Sequence, residues 1–92
     1  MSHVIEHRPE QNRFEILVDD QVAAYAEYTE QAGVRDFDHT VTEPAFRGQG
    51  LAGALVRAAL DTTRAEGLRI RTSCSYVDAY VVKHPEYQDL VA

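Results

Sequence analysis

The sequence predicts a single α+β domain, residues 1–92, with elements in the order β-β-β-β-α-β-α and a mixed, mostly antiparallel sheet. Two observations carry this prediction. Alternating apolar positions in 13–18 and 21–29, separated by a polar turn, predict a β-hairpin. An Ala-rich amphipathic stretch from about 50 to 66, followed by Gly67, predicts one long helix with a glycine at its C-terminal end. A chain of 92 residues is long enough for one modest core.

Two further strands complete the antiparallel part of the predicted sheet. Residues 3–8 predict an edge strand that stops before Pro9, and residues 34–42 predict the fourth strand. Arg35, at the start of that fourth strand, is expected to be solvated. Alternation places three side chains of the strand on one face: Phe37, His39 and Val41.

The chain after the long helix predicts a last strand and one short helix. Residues 68–76 alternate so that Ile70 and Cys74 point the same way. The short helix is expected from residue 77 to about residue 83. It ends at His84 because the residue before a proline resists helical backbone angles.

Charge and composition exclude several functional classes. The chain has 15 acidic and 9 basic residues, and its basic residues are dispersed, which disfavours nucleic-acid binding. No apolar run approaches the roughly 20 residues of a membrane span, and no secretion signal is visible. A single cysteine cannot form an internal disulfide, which favours a cytoplasmic location. We expect no metal site, because no set of ligand residues has suitable spacing.

The most informative stretch is Arg-Gly-Gln-Gly-Leu-Ala, residues 47–52, at the start of the long helix. The first backbone N–H groups of a helix lack partners within it, and the helix dipole adds positive potential there. Gly48 and Gly50 remove the Cβ atoms that would hold a phosphate away. The stretch therefore predicts a pyrophosphate site, with an ordinary tight turn as the alternative. A dinucleotide-binding fingerprint is excluded by context, because too few residues follow Gly53 to complete a doubly wound sheet.

Arg47, Gly50 and Ala52 fulfil the pattern Arg/Gln-x-x-Gly-x-Gly/Ala, which resembles the acyl-CoA pyrophosphate loop of the GNAT superfamily, the general N-acetyltransferases. The motifs Cys-Ser-Tyr-Val at residues 74–77 and His-Pro-Glu-Tyr at 84–87 resemble the C-terminal part of a very small single-domain GNAT subgroup. Members of that subgroup also carry a His-Thr pair shortly before the loop, matched here by residues 39–40. The resemblance covers most of the chain and implies a minimal GNAT-like fold. A full-length GNAT domain has two further helices over its acceptor site, so an open acceptor face, or one completed by a second subunit, is expected.

The resemblance implies an N-acetyltransferase that moves an acetyl group from acetyl-CoA to a primary amine of a small molecule or protein. The alternative is a non-catalytic module that binds or senses acyl-CoA. We expect no nucleic-acid or membrane partner, and either a monomer or a homodimer formed through an exposed hairpin edge. By resemblance, one segment holds the pantetheine arm of coenzyme A: Val41, Thr42 and Glu43. A second segment holds the pyrophosphate: Arg47, Gly48, Gln49, Gly50, Leu51 and Ala52.

Three side chains are candidates for the chemistry. Tyr80 occupies the position at which many GNAT enzymes have a tyrosine that protonates the CoA thiolate. A phenol with a pKa of about 10 suits that role. Tyr76 and Tyr87 are alternative candidates for it. Cys74 is either an acceptor of the acetyl group, giving a covalent intermediate, or a small buried hydrophobe. His39, expected to face Cys74 across the gap between two strands, is a candidate base for the thiol or the amine. Its alternative is a structural histidine.

Overall fold

The computed structural model describes residues 3–92 and confirms the predicted α+β class and element order. Neither helix in this range is long and apolar enough to cross a membrane. The strands and helices are β1 (His3–Arg8), β2 (Arg13–Val18), β3 (Gln21–Gln31), β4 (Val34–Thr42), α1 (Leu51–Ala65), β5 (Arg69–Arg71) and α2 (Ser75–Lys83). Short 3-10 turns lie at Pro9–Gln11, Pro44–Phe46 and Pro85–Leu90.

The five strands form one sheet in the order β1-β2-β3-β4-β5. The first four are antiparallel neighbours, and β5 runs parallel to β4. Because β1 pairs with β2 along its whole length, the β2–β3 hairpin is internal, and the prediction that its edge is exposed is wrong. The free edge on that side belongs to β1.

The core lies between α1 and one face of the sheet. Its largest fully buried side chains alternate along the strands and recur every three or four residues along α1, as the two kinds of element require. In the described part of the chain no helix covers the opposite face of the sheet, since β1 is joined to β2 by only a 3-10 turn. The main core residues are Phe14, Ile16, Phe37, Leu55, Val56, Leu60, Ile70 and Val77.

The C-terminal end of α1 is capped by the backbone that follows it. Gly67 has a φ of +74°, its N–H donates to the carbonyl of Arg64, and the N–H of Leu68 donates to the carbonyl of Thr63. These two bonds are the Schellman arrangement, which satisfies carbonyls that the helix leaves free. The prediction of a helix that ends at this glycine is therefore confirmed.

Arg35 packs against the same end of α1, and the expectation that it is solvated is wrong. Its side chain is 4% exposed, with the guanidinium 4.4 Å from the ring centroid of Tyr28. It donates to Glu30 and Thr63 at 2.8–3.1 Å and forms an ion pair with Glu66 at 2.8 Å. A buried guanidinium is tolerated when its N–H groups find acceptors, which are supplied here by the nearby Glu30 and by Thr63 and Glu66 from the far end of α1.

A β-bulge in β4 changes which side chains share a face. Glu27 lies opposite His39 and Tyr28 lies opposite Phe37, so Asp38 has no partner residue on β3. An extra residue reverses the alternation beyond it. Phe37 therefore faces α1 while His39 faces the uncovered side of the sheet, and the prediction that they share a face is wrong.

β5 is three residues long rather than nine, and α2 starts at Ser75, earlier than predicted. After Arg71 the chain leaves the sheet because the carboxylate of Asp36 accepts bonds from the backbone N–H and the hydroxyl of Ser73. The N–H of Cys74 then donates to the carbonyl of Phe37 at 2.8 Å. Cys74 is consequently the N-cap residue of α2, not a strand residue as predicted.

Candidate functional site

A gap opens between β4 and the segment that leads from β5 into α2. The two strands pair only as far as Asp36 and Arg71, whereas β4 continues to Thr42 alongside β3. The N–H of Glu43 donates to the carbonyl of Ala23 at 2.8 Å. Because backbone bonding alternates along an antiparallel pair, the backbone groups of Thr42 then point away from β3, into the gap.

The thiol of Cys74 lies at the closed end of this gap. Its polar contact is the hydroxyl of Thr40, with Sγ and Oγ1 3.4 Å apart. His39 is turned to the other face of the sheet by the bulge, so the predicted Cys74–His39 pair is not formed. Sequence reasoning noted the His-Thr pair but missed the role of Thr40, and only the position of the bulge decides which of the two meets the thiol.

His39 lies on the uncovered face, where its side chain is exposed. The ring of Tyr25 is 6.5 Å from it, centroid to centroid, and Glu27 is its cross-strand neighbour. Arg13 stacks over Tyr25 at 4.5 Å and pairs with the buried carboxylate of Glu15. The imidazole is therefore accessible to a molecule that approaches the sheet from the side opposite α1.

The loop before α1 leaves a row of backbone donors without acceptors. Gly48 and Gly50 have φ values of +81° and +74°, left-handed angles that favour glycine. The first bond of the helix joins the N–H of Ala54 to the carbonyl of Gly50 at 3.3 Å, and no side chain caps the helix. Within residues 3–92, the backbone N–H groups of 48–53 have no acceptor. Except for Gln49, these residues border a cavity of about 220 Å³ that is also lined by Arg47 and Thr42.

This arrangement fits a pyrophosphate. Convergent backbone N–H groups and the positive end of a 15-residue helix favour an anion, and the guanidinium of Arg47 adds a charge. A Cβ on Gly48 or Gly50 would meet no other atom within 4 Å, so the glycines are needed for their backbone angles rather than for space. Arg47, Gly48, Gly50, Leu51 and Ala52 all line the cavity, which brings most of the predicted pyrophosphate segment together.

The tyrosines of α2 are distributed along α1. Tyr76 borders the loop cavity, and its hydroxyl lies 3.7 Å from where a Cβ on Gly53 would stand. Tyr80, one turn further, stacks on His84 at 3.9 Å between ring centroids and lines a separate groove along α1. Burial raises the pKa of Tyr80 above its ordinary value, against an opposing effect of Arg57. Tyr76 is thus the tyrosine that adjoins the loop, a position that sequence reasoning had given only as an alternative.

Tyr87 has a structural environment. It is buried, and its hydroxyl donates to the carboxylate of Asp61 on α1 at 2.7 Å. Burial and that carboxylate raise the pKa of Tyr87 to about 12. Together with the pairing of Arg64 and Asp89, this contact joins the last 3-10 turn to α1.

Comparison with known proteins agrees with this geometry. A family model described as GCN5-related N-acetyl-transferase matches residues 13–90. The chain is 32% identical to Protein NATD1 of Xenopus tropicalis over 84 residues, which cover 88% of this chain and 76% of that protein. The mouse NATD1 protein has the same identity and coverage.

Solved structures give the same result. A GCN5-like protein from Staphylococcus aureus, determined by NMR, superposes with a TM-score of 0.74 and 26% identity, covering 97% of this chain and 87% of that one. The aminoglycoside N-acetyltransferase AAC(6')-Iy in complex with CoA shares the fold, with a TM-score of 0.55, 18% identity, and coverage of 87% and 66%. The chain therefore belongs to the GCN5-related N-acetyltransferase family.

Proposed function

We propose that this protein is an acetyl-CoA-dependent N-acetyltransferase whose acceptor is a primary amine of a small molecule or a protein. The observation that carries the proposal is the N-terminal end of α1, where the N–H groups of residues 48–53 lie without acceptors in the described chain beside the gap after β4. Family membership and a neighbour in complex with CoA support coenzyme A as the ligand of this end.

Two backbone segments divide the binding of the cofactor. The loop N–H groups and Arg47 hold the pyrophosphate, and the gap-facing backbone of Thr42 holds the pantetheine arm. Glu43 contributes less than expected, because its N–H is already bonded to Ala23. When bound, acetyl-CoA supplies a thioester carbonyl that is open to attack by an amine.

His39 is the base in this proposal. Its imidazole is exposed on the uncovered face, so an amine arriving from that side meets it before reaching the gap. A neutral imidazole accepts the proton that the amine loses on attack. A tyrosine hydroxyl of α2 returns a proton to the departing thiolate, with Tyr80 and the loop-adjacent Tyr76 as the two candidates.

Direct transfer is favoured over a covalent intermediate on Cys74. Nucleophilic cysteines are activated by a neighbouring base or cation. The polar contact of the Cys74 thiol is a neutral hydroxyl, that of Thr40, and His39 lies on the opposite face of the sheet. In this reading Cys74 forms a wall of the gap.

A second candidate function is a module that binds acyl-CoA without catalysis. The specific observation in its favour is the bare sheet face, since only the four residues 9–12 join β1 to β2, where helices over an acceptor would lie. Such a module would bind CoA and acetyl-CoA and leave every amine unchanged.

Calorimetric titration with acetyl-CoA, followed by intact mass spectrometry, tests the proposal first. We expect saturable binding and no acetylated protein. Release of free CoA in the presence of a panel of primary amines then separates the two functions, with His39→Gln expected to lose turnover while keeping affinity and Cys74→Ser to keep both. No binding would refute the proposal, turnover with none of the amines would favour the binding module, and an adduct that disappears in Cys74→Ser would establish the covalent route.

A further inference from the structure

A row of charged side chains crosses the uncovered face of the sheet. Arg8 of β1 is the cross-strand neighbour of Arg13 of β2, and Arg13 is also the neighbour of Glu27 of β3. Glu27 is in turn opposite His39 of β4, the strand that borders the gap. Directly opposite side chains on one face of an antiparallel pair have Cβ atoms about 5 Å apart. The row therefore places a carboxylate beside the exposed imidazole.

The carboxylate of Glu27 is left without a partner in its own row. The guanidinium of Arg13 pairs instead with Glu15, and that of Arg8 pairs with Glu6 and Glu15. The two positive charges are thus matched by the two carboxylates of the adjacent row. Within residues 3–92, the Glu27 carboxylate has neither a hydrogen bond nor an ion pair. The side chain is half-buried, but its oxygens are not shielded from the surface.

The surroundings of Glu27 favour a cation that comes from outside the chain. Partial burial removes some of the water around a carboxylate, and a charged hydrogen-bond donor replaces the interactions that are lost. The net charge of −6 adds a general attraction for cations. The ring of Tyr25, stacked under Arg13, lies 6.5 Å from the ring of His39 and offers an apolar surface to a carbon chain.

We propose that Glu27 determines acceptor specificity by binding a second positive charge, so that the substrates are short small-molecule diamines. The inference rests on the proposed function, because it takes His39 as the base and the gap as the place of transfer. In the order of strands, β4 lies between β3 and the gap, so Glu27 is one strand, about 4.8 Å, further from the thioester than His39 is. An acceptor whose reacting nitrogen lies at His39 therefore presents a different group to Glu27.

Three amines with the same carbon chain test the inference: 1,4-diaminobutane, butylamine and 4-aminobutanoate. They carry a positive charge, no charge and a negative charge at the end that does not react. Release of free CoA from acetyl-CoA measures kcat/KM for each of them. The wild type should prefer 1,4-diaminobutane to butylamine about fivefold, the upper range for an exposed ion pair, and should use 4-aminobutanoate least. Added salt should reduce this preference.

Variants of Glu27 should change the order of the three amines. Glu27→Gln should abolish the preference for 1,4-diaminobutane, mainly through a higher KM, since the lost contact is with the end that does not react. Glu27→Lys should reverse the order and make 4-aminobutanoate a better substrate than 1,4-diaminobutane. Glu10→Gln is the matched control, because it removes the same charge from an exposed glutamate in the turn Pro9–Gln11 and should preserve the preference. Calorimetric titration with acetyl-CoA verifies that each variant is folded.

The outcomes separate this inference from the function on which it rests. Turnover without a preference for 1,4-diaminobutane, or a preference that Glu27→Gln retains, overturns the role of Glu27 while the acetyltransferase function stands. An equal loss for butylamine and 1,4-diaminobutane in Glu27→Gln also contradicts it, because that pattern indicates a contact with the reacting nitrogen. Binding of acetyl-CoA without turnover of 1,4-diaminobutane overturns the inference, whatever other amines are acetylated. Absence of acetyl-CoA binding overturns the proposed function and the inference with it.

Discussion

The two ends of α1 differ in how their backbone polar groups are satisfied. At the C-terminal end, Gly67 completes a Schellman cap, and Arg35 binds Thr63 and Glu66 on the helix. At the N-terminal end, the N–H groups of residues 48–53 find no acceptor in the described chain and no side chain caps the helix. One end satisfies its polar groups from within the protein, and the other leaves them for a ligand.

This difference separates stability from binding along a single element. Contacts that the chain makes with itself contribute to the free energy of unfolding, whereas groups left unsatisfied contribute when something binds them. Substitutions at the C-terminal end should therefore change stability and spare CoA affinity. Substitutions at the N-terminal end should mainly change CoA affinity.

Arg35→Ala should give the largest loss of stability, about 3 kcal/mol, because it removes a buried stem, its ring contact and the partner of two carboxylates. Urea unfolding measures this change. CoA affinity of the folded protein, measured below the unfolding transition, should match the wild type. A matched Arg71→Ala change at an exposed position should have little effect on stability. Loss of CoA binding by folded Arg35→Ala would contradict the assignment of stability to one end of α1 and of binding to the other.

Gly50→Glu should lower CoA affinity at least about tenfold, since it brings a negative charge to the mouth of the anion site. The backbone there has a φ of +74°, so a loss of stability of about 1 kcal/mol is also expected. Gly33→Glu is the control, because Gly33 has a φ of +80° and open space around it but lies in the β3–β4 turn. Equal CoA affinity in the two variants would contradict the assignment of the loop.

Acidification should produce the smallest effect on stability, through His7, which lies near the C-terminal end of α1. Burial, reinforced by the charge of Arg35, lowers the pKa of His7, whose Nε2 lies 2.7 Å from the hydroxyl of Tyr28. Above the unfolded pKa of about 6.5 the histidine is neutral in both states and its contribution to stability is complete. Below that pH the unfolded chain takes up the proton first, so stability falls until the pH reaches the folded pKa.

Urea unfolding between about pH 5 and pH 7.5 measures this dependence in a range where carboxylates remain ionised. His7→Gln should remove the part of the slope that His7 causes. A wild type that becomes more stable on acidification across this range would contradict the burial of a neutral imidazole.

Local sequence patterns were sufficient to predict the elements in which apolar residues recur with a clear period. The hairpin, the long helix and its terminal glycine, and the absence of helices between β1 and β2 were all predicted, because each depends on residues close in sequence. The loop was predicted for the same reason: Gly48 and Gly50 must precede a helix that starts within a few residues.

The wrong predictions concern features that depend on contacts between residues distant in sequence. The bulge at Asp38 leaves no mark in an alternating strand, yet it moves His39 away from Cys74. The burial of Arg35 depends on Thr63 and Glu66, which are close to it only after α1 folds onto the sheet. Likewise, Cys74 lies outside the strand because the Ser73 hydroxyl donates a hydrogen bond to the carboxylate of Asp36. These two residues are 37 positions apart in sequence.

The edges of the sheet have a consequence for assembly. β5 is flanked by residues 91 and 92: Val91 forms a parallel bridge with Ile70, the N–H of Ala92 donates to the carbonyl of Ile70, and Arg69 binds the carbonyl of Val91. Within the described residues, β1 is thus the long edge whose backbone groups remain available. A sheet with one available edge can pair with the same edge of one further copy. Both available edges are then used, so association by strand pairing stops at two subunits and does not continue into a filament.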